Sequence, residues 1–307
     1  MLKPIARGVY PTMITPYTAD NKIDYNAVEQ ILNWYSDRGC AGVFAICQSS
    51  EIFFLSFEER YELLKFVMEH APENLTVVAS GHTADDLDTQ LYEAQRFMEL
   101  GAQGYVFISN RLAKQDESDD VFLKNVDRFL KALPDTAFGV YECPYPYKRL
   151  MQPKTLGKLA RTGRFSFLKD TCCDLELIRQ KLDAVKGTGL EIFNANGALL
   201  LESLKLGCAG YSGVMANFHP ELYAWLCSNF ETQPEKAELV GAVLGFFSVA
   251  ECQTYPINAK YYMGLEGLEL GYTSRARSVE EFGQSRQVEI QQMKVVTDYV
   301  KKTLGVE

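Results

Sequence analysis

The chain has 307 residues, of which 47% are hydrophobic: long for an ordinary domain, but the size of an α/β barrel with an appendage, and enough for a large buried core. With 31 Lys and Arg against 40 Asp and Glu, the formal net charge is −9 and no basic run offsets it, which argues against nucleic acid and other polyphosphate partners. No stretch is apolar enough to span a bilayer, the opening MLKPIARGVYPTMITPY lacks the apolar segment of a secretory signal, and the eight cysteines form neither a CxxC pair nor a zinc-spaced cluster; a cytoplasmic chain with free thiols, no metal and no membrane partner is expected.

Short apolar runs alternate with amphipathic segments along the first three quarters of the chain. The run Gly8–Thr15 leads to a helix from Tyr25 with Asp24 as N-cap, and Ala41–Cys47 leads to SFEERYELLKFVMEH, where Ser56 and Glu59 have capping-box spacing. Leu75–Ser80 precedes a helix through Glu99, and Gly104–Ser109 precedes one through Leu133. Ala137–Cys143, Phe165–Asp170 and Leu190–Asn194 follow, and Ala209–Val214 precedes a helix around Glu221–Phe230. Strands this short and continuously apolar suit a parallel sheet covered on both faces. Glycines before several runs, Gly39, Gly101 and Gly207, suit helix C-caps. Eight such units in residues 1–230, with no GxGxxG after the first run, predict a (β/α)8 TIM barrel rather than an open dinucleotide-binding sheet. Beyond Phe230 the pattern is helical only, with long candidates in PEKAELVGAVLGFFSVAE and SVEEFGQSRQVEIQQMKVVTDYVKKTLG, so residues 231–307 are expected to form a C-terminal helical extension.

Reacting groups in such barrels sit at the C-terminal ends of the strands. Lys169 ends the run FSFLKD, where a surface lysine has no reason to be. Burial disfavours an ammonium, and a neutral amine can add to a ketone and form an imine that accepts electrons from the adjacent carbon. The bland alternative is a lysine paired with Asp170 or Glu142 at the rim. Tyr141 ends the neighbouring run and offers a phenol for proton transfer; its bland alternative is a packed ring tied to backbone. The turn CQSSE (47–51) can hold a carboxylate with its serines and N–H groups, and adjacent Cys172 and Cys173 read as two packed small side chains.

These residues resemble the dihydrodipicolinate synthase/N-acetylneuraminate lyase family of Schiff-base class I aldolases. The likeness runs over essentially the whole chain: GVYPTMITPYTADNKIDY, GCAGVFAICQSSEIFFLSFEER, VYECPYP (140–146), FLKDTCCDL (167–175) and GCAGYSGVMANFHPEL (207–222) are similar to the family's successive signatures. The resemblance puts the family's catalytic tyrosine on Tyr141 and its imine-forming lysine on Lys169. Gln48 and Ser49 fall where the family usually has two hydroxyl residues at the carboxylate turn, and only Ser49 keeps a hydroxyl. The synthases carry paired tyrosines after strand four and an arginine five residues after the catalytic tyrosine; here ISNRLAKQ (108–115) has no tyrosine, and Pro146 takes the arginine's place. The acidic pair of the neuraminate lyases after strand seven is replaced by NANGA (194–198), while the Lys-Asp-Thr step is similar to that of some 2-keto-3-deoxy sugar acid aldolases.

The resemblance implies a lyase or aldolase that needs no cofactor and acts on pyruvate or a related 2-oxo acid. Ser49 and its turn would hold the acid's carboxylate, and an aldehyde or sugar acid would sit near Arg111, Glu142, Tyr145, Asn196 and Ser212, with Arg111, Lys148 or Arg149 as replacement cations. A dihydrodipicolinate synthase with a rebuilt second-substrate site and a non-catalytic 2-oxo acid binding protein are the other readings. A homotetramer or homodimer is implied by resemblance alone.

Overall fold

The computed structural model describes residues 4–306, so residues 1–3 and 307 at the outer ends of the two expected segments, and the side chains of Glu251 and Cys252, lie outside the described residues. Eight parallel strands are present: β1 Gly8–Val9, β2 Gly42–Phe44, β3 Thr76–Ala79, β4 Gly104–Ile108, β5 Phe138–Tyr141, β6 Phe165–Asp170, β7 Glu191–Asn194 and β8 Gly210–Tyr211. Their order is β1-β8-β7-β6-β5-β4-β3-β2, and a parallel bridge from Thr12 to Phe44 joins the two ends, so the sheet closes into a (β/α)8 barrel. Gly210 permits part of that closure: a Cβ there would overlap the Gly8 carbonyl oxygen across the β1–β8 seam.

Each strand is followed by a helix: α1 Tyr25–Asp37, α2 Phe57–His70, α3 Leu87–Met98, α4 Asp119–Ala132, α5 Pro153–Ala160, α6 Leu175–Val185, α7 Leu200–Leu206 and α8 Pro220–Asn229. Local signals set their starts. Asp24 accepts from the Ala27 N–H, and Ser56 and Glu59 bond reciprocally as a capping box. Then come α9 Pro234–Phe247, α10 Ile257–Leu265 and α11 Gln284–Leu304. The sequence pattern missed α10 and the irregular segment after it. Six of the nine residues of α10 are buried, so it presents no polar stripe from which helical periodicity can be read. Among the described residues no helix is long and apolar enough to cross a membrane.

The barrel interior is plugged by aromatic rings. Tyr10 lies edge-on to Phe167 and Phe193, at 5.6 and 4.9 Å between centroids, and Phe44 reaches across to Phe167 at 6.1 Å. On the outer face, Phe107 packs on Phe138 at 5.0 Å and on Phe129 of α4 at 5.1 Å, and Phe165 lies 5.8 Å from Phe138. Thus Phe165 points outward while Phe167, two positions on, points inward. A one-residue shift in the ladder accounts for this: Phe138 pairs with Phe165, but Gly139 pairs with Phe167, leaving Ser166 as the extra residue of a bulge. The bulge brings Lys169, not Leu168, opposite Tyr141.

Candidate active site

Tyr141 and Lys169 are register partners at the C-terminal ends of β5 and β6, and both side chains face the barrel mouth. The Lys169 Nζ lies 4.3 Å from the centroid of the Tyr141 ring and 5.9 Å from that of Phe44, whose ring forms the floor. Both residues are 4% exposed, and they open onto a cavity of about 720 Å³. Burial pushes the Tyr141 phenol well above its ordinary range, so at neutral pH it is a proton donor. It donates to the Gln48 Oε1 at 3.2 Å, which also receives the Cys143 thiol at 3.4 Å. An amide oxygen accepts but does not donate, so position 48 cannot pass a proton onward as a hydroxyl would.

The carboxylate turn divides its two serines. Ser49 lines the cavity and donates to the Thr12 hydroxyl at 3.0 Å, whereas the Ser50 Oγ is turned into the protein, 2.7 Å from the Met13 and Ala45 carbonyl oxygens. Glu51 follows in the left-handed region at φ 60°. Its buried carboxylate accepts from the Arg275 and Ala276 N–H groups at 2.6 and 2.8 Å, the Ser274 hydroxyl at 2.9 Å and the Lys260 ammonium at 3.2 Å. Burial brings Lys260 down to about 8, against the pull of Glu51. This knot ties the second loop of the barrel to the segment after α10, which places Ala276 and Arg277 on the cavity wall. Ser248, Tyr255 and Pro256, from between α9 and α10, line it too.

Residues 5–292 match the Dihydrodipicolinate synthetase family. The chain belongs to that family. It is therefore a carbon–carbon lyase of the class I aldolase type. A 4-hydroxy-tetrahydrodipicolinate synthase of Clostridium novyi (strain NT) is 23% identical over 272 residues, 86% of this chain and 88% of that protein. Among solved structures, a catalytic lysine mutant of the Ruminococcus gnavus sialic acid aldolase aligns with a TM-score of 0.85 at 21% identity, covering 99% of each chain. YagE of E. coli K12, a prophage protein of the dihydrodipicolinic acid synthase family in complex with pyruvate, aligns with a TM-score of 0.84 at 19% identity, over 94% of this chain and 98% of that one.

Against this family background, several residues expected from the sequence are not on the cavity wall. Tyr141, Lys169, Gln48, Ser49, Tyr145, Lys148 and Asn196 line it; Glu142, Arg111, Arg149 and Ser212 do not. Glu142 follows Tyr141 and so points to the opposite side of the sheet. There it is fully buried, 2.6 Å from the Lys181 Nζ of α6, which also lies 2.5 Å from Asp170. Lys181 thus occupies both carboxylates considered as rim partners for Lys169. Glu142 is pushed up to about 7 by burial and by Asp170, against the pull of Lys181. Burial works against the charge on Lys181, but the two carboxylates outweigh it and hold its ammonium above the ordinary range.

Arg111 is drawn off to Asp85 at 3.1 Å and lies over the Phe53 ring, 5.2 Å from its centroid. Arg149 pairs with Asp119 at 2.8 Å. The Ser212 Oγ is buried with no hydrogen bond among the described residues, while its N–H donates to the Asn194 carbonyl. Cys173 is not packed: it is exposed on the wall at φ 58°, and its Sγ accepts from the Asn196 Nδ2 at 3.1 Å. The loop after β4 adds nothing to the wall. Its Asn110 Nδ2 instead bonds the Cys143, Tyr145 and Tyr147 carbonyls and shapes the loop after β5.

Proposed function

We propose that this lyase binds pyruvate or a related 2-oxo acid as an imine on Lys169 and makes or breaks the bond from the carbon next to the imine, with Tyr141 moving the protons. The observation that carries the reading is the pairing of Lys169 and Tyr141 on adjacent strand ends, with the lysine nitrogen 4.3 Å from the phenol ring at the foot of a cavity. The Lys169 amine adds to the C2 carbonyl. Tyr141, held protonated by burial, gives its proton to the carbinolamine oxygen, which leaves as water.

The resulting iminium places a positive charge beside Tyr141. An opposite charge that close favours the phenolate, so imine formation itself prepares the base for the next step. In the cleavage direction the phenolate takes the proton of the substrate's C4 hydroxyl. The C3–C4 bonding pair moves into the iminium to form an enamine, and an aldehyde leaves. Protonation of the enamine at C3 and hydrolysis return the 2-oxo acid and the amine. Ser49, with Thr12 behind it, supports the acid's carboxylate, and Asn196 faces the hydroxyl-bearing part of the second substrate.

The test is incubation with pyruvate, reduction with borohydride and peptide mass spectrometry. A pyruvyl adduct on Lys169, absent in Lys169→Ala, is expected; no adduct with pyruvate or with longer 2-oxo acids would overturn the imine. A dihydrodipicolinate synthase with a rebuilt second-substrate site is the second reading, favoured by the name of the Clostridium novyi relative. Turnover of pyruvate with aspartate semialdehyde, set against a panel of sugar-acid aldehydes, separates the two.

A further inference from the structure

Removing the Tyr141 proton changes what its surroundings must supply. As a phenol, Tyr141 donates to the Gln48 Oε1 at 3.2 Å. As a phenolate, it would face that oxygen with no proton between two acceptors. Gln48 thus favours the acid form of Tyr141, and a donor must come from elsewhere when Tyr141 acts as a base. Cys143 is placed to be that donor. It lies two positions beyond Tyr141, fully buried and off the cavity wall. Its single S–H has two acceptors at the same distance, the Gln48 Oε1 and the Tyr145 carbonyl oxygen, each 3.4 Å from Sγ. A side-chain hydrogen bond also links it with Tyr141. A thiol proton with three partners changes partner by rotation about the Cβ–Sγ bond, with no heavy atom moving. Burial raises the thiol above its ordinary range, so at neutral pH it keeps its proton and can donate in either state of the phenol. The frame around it is fixed, since the Asn110 Nδ2 holds the Cys143 and Tyr145 carbonyls, each at 2.9 Å. The other thiol near the phenol, Cys47, is turned to the Phe44 carbonyl at 3.6 Å and the Ser50 Oγ at 3.7 Å, and the nearby Tyr255 hydroxyl accepts from the Asn217 Nδ2 at 3.1 Å.

We propose that Cys143 is a positioning residue for the proton-transfer step: its S–H stands on the Gln48 or Tyr145 oxygen while Tyr141 is a phenol, and turns to the Tyr141 oxygen when that becomes a phenolate. The inference deepens the imine reading and rests on it, because the phenolate forms beside the iminium. No covalent bond to sulfur forms or breaks. Tyr141 gives its proton to the carbinolamine oxygen and later takes one from the substrate, and the thiol keeps its own throughout. A hydrogen bond to a charged oxygen is stronger than one to an amide oxygen, so the gain arises in the charged state alone. Gln48 and Cys143 therefore act in opposite senses, the amide holding the acid and the thiol supporting the base.

The test uses the full chain and pyruvate alone. Infrared difference spectra follow the S–H stretch, with the Cys143 band assigned by its loss in Cys143→Val. On addition of pyruvate that band should move to lower frequency, and it should stay in place in Lys169→Ala, where no imine forms. In parallel, proton NMR in D₂O follows loss of the pyruvate methyl protons, the step in which Tyr141 acts as base on the imine. Cys143→Val should slow this exchange by ~10-fold or more at saturating pyruvate, while the yield of borohydride-trapped adduct stays the same. A merely structural role for the thiol would lower both together. Cys143→Ser, which restores a rotating donor, should recover most of the loss. A band that does not move although the adduct forms, or wild-type exchange in Cys143→Val, overturns the inference and leaves the imine standing. Absence of any adduct removes the imine reading itself, and the inference with it.

Discussion

On the inner face of the β5–β6 pair, Lys169 lies against a phenol above an aromatic floor; on the outer face, Lys181 lies between Glu142 and Asp170, away from water. The two sites share a strand pair and are built from sequence neighbours, Tyr141 with Glu142 and Lys169 with Asp170. Strand alternation sends one member of each couple inward and the other outward. The inner lysine meets a cavity that can admit a carbonyl. The outer one has its charge met in place by carboxylates: Glu142 accepts in turn from the Met151 and Thr171 N–H groups, and Asp170 from the Cys172 N–H. Thus the same residue type serves as a candidate nucleophile on one side and a structural cation on the other, according to what faces it.

The sharpest way to break this contrast is Lys169→Ala. It should lower turnover by on the order of 10³-fold or more while leaving the unfolding midpoint nearly unchanged, because the truncated side chain faces the cavity. A large stability loss would make Lys169 a structural cation as well. Tyr141→Phe keeps the ring but removes the proton and should cost about 10²- to 10⁴-fold in kcat; a change confined to KM would demote Tyr141 to a binding group.

Lys181→Met acts on the other face. It leaves two buried carboxylates without a cation and should destabilise the fold by about 3–5 kcal/mol in urea unfolding, more at pH 8, where the native protein has lost the Glu142 proton, than at pH 5. Glu142→Gln is gentler, about 1–3 kcal/mol at pH 8, because an amide cannot accept every bond the carboxylate takes. Its pH dependence is the finer test. The folded-state pKa of Glu142 is raised to about 7, so between its ordinary value and 7 the native state holds a proton that the unfolded chain has released. This contribution to stability is present at acid pH and is lost as pH rises through that window. Glu142→Gln should flatten the decline, and an unchanged slope would place the titration elsewhere.

How much of this was legible in the sequence depends on the range of the interaction responsible. The caps at Asp24 and Ser56, the apolar runs and the lysine closing FSFLKD are local features, and the parallel barrel follows from their repetition. Lys181 left a trace that went unread: it falls with Ile178 and Val185 on the buried stripe of α6, where an ammonium must have partners. No comparable trace marks Arg277, because its approach to the cavity depends on a knot between Glu51 and residues more than two hundred positions away.

By itself, the sequence determined the strand-helix rhythm, the eight buried runs and the presence of a tyrosine and a lysine at successive strand ends, since hydrophobic period and capping act over a few residues. Only the tertiary structure decided which way those ends face. The bulge at Ser166 rotates Lys169 inward to meet Tyr141, alternation carries Glu142 out to Lys181, and the closing of the chain brings Arg277 over the mouth. Register and long-range ion pairs are set by contacts between distant segments, and no window of neighbouring residues contains them.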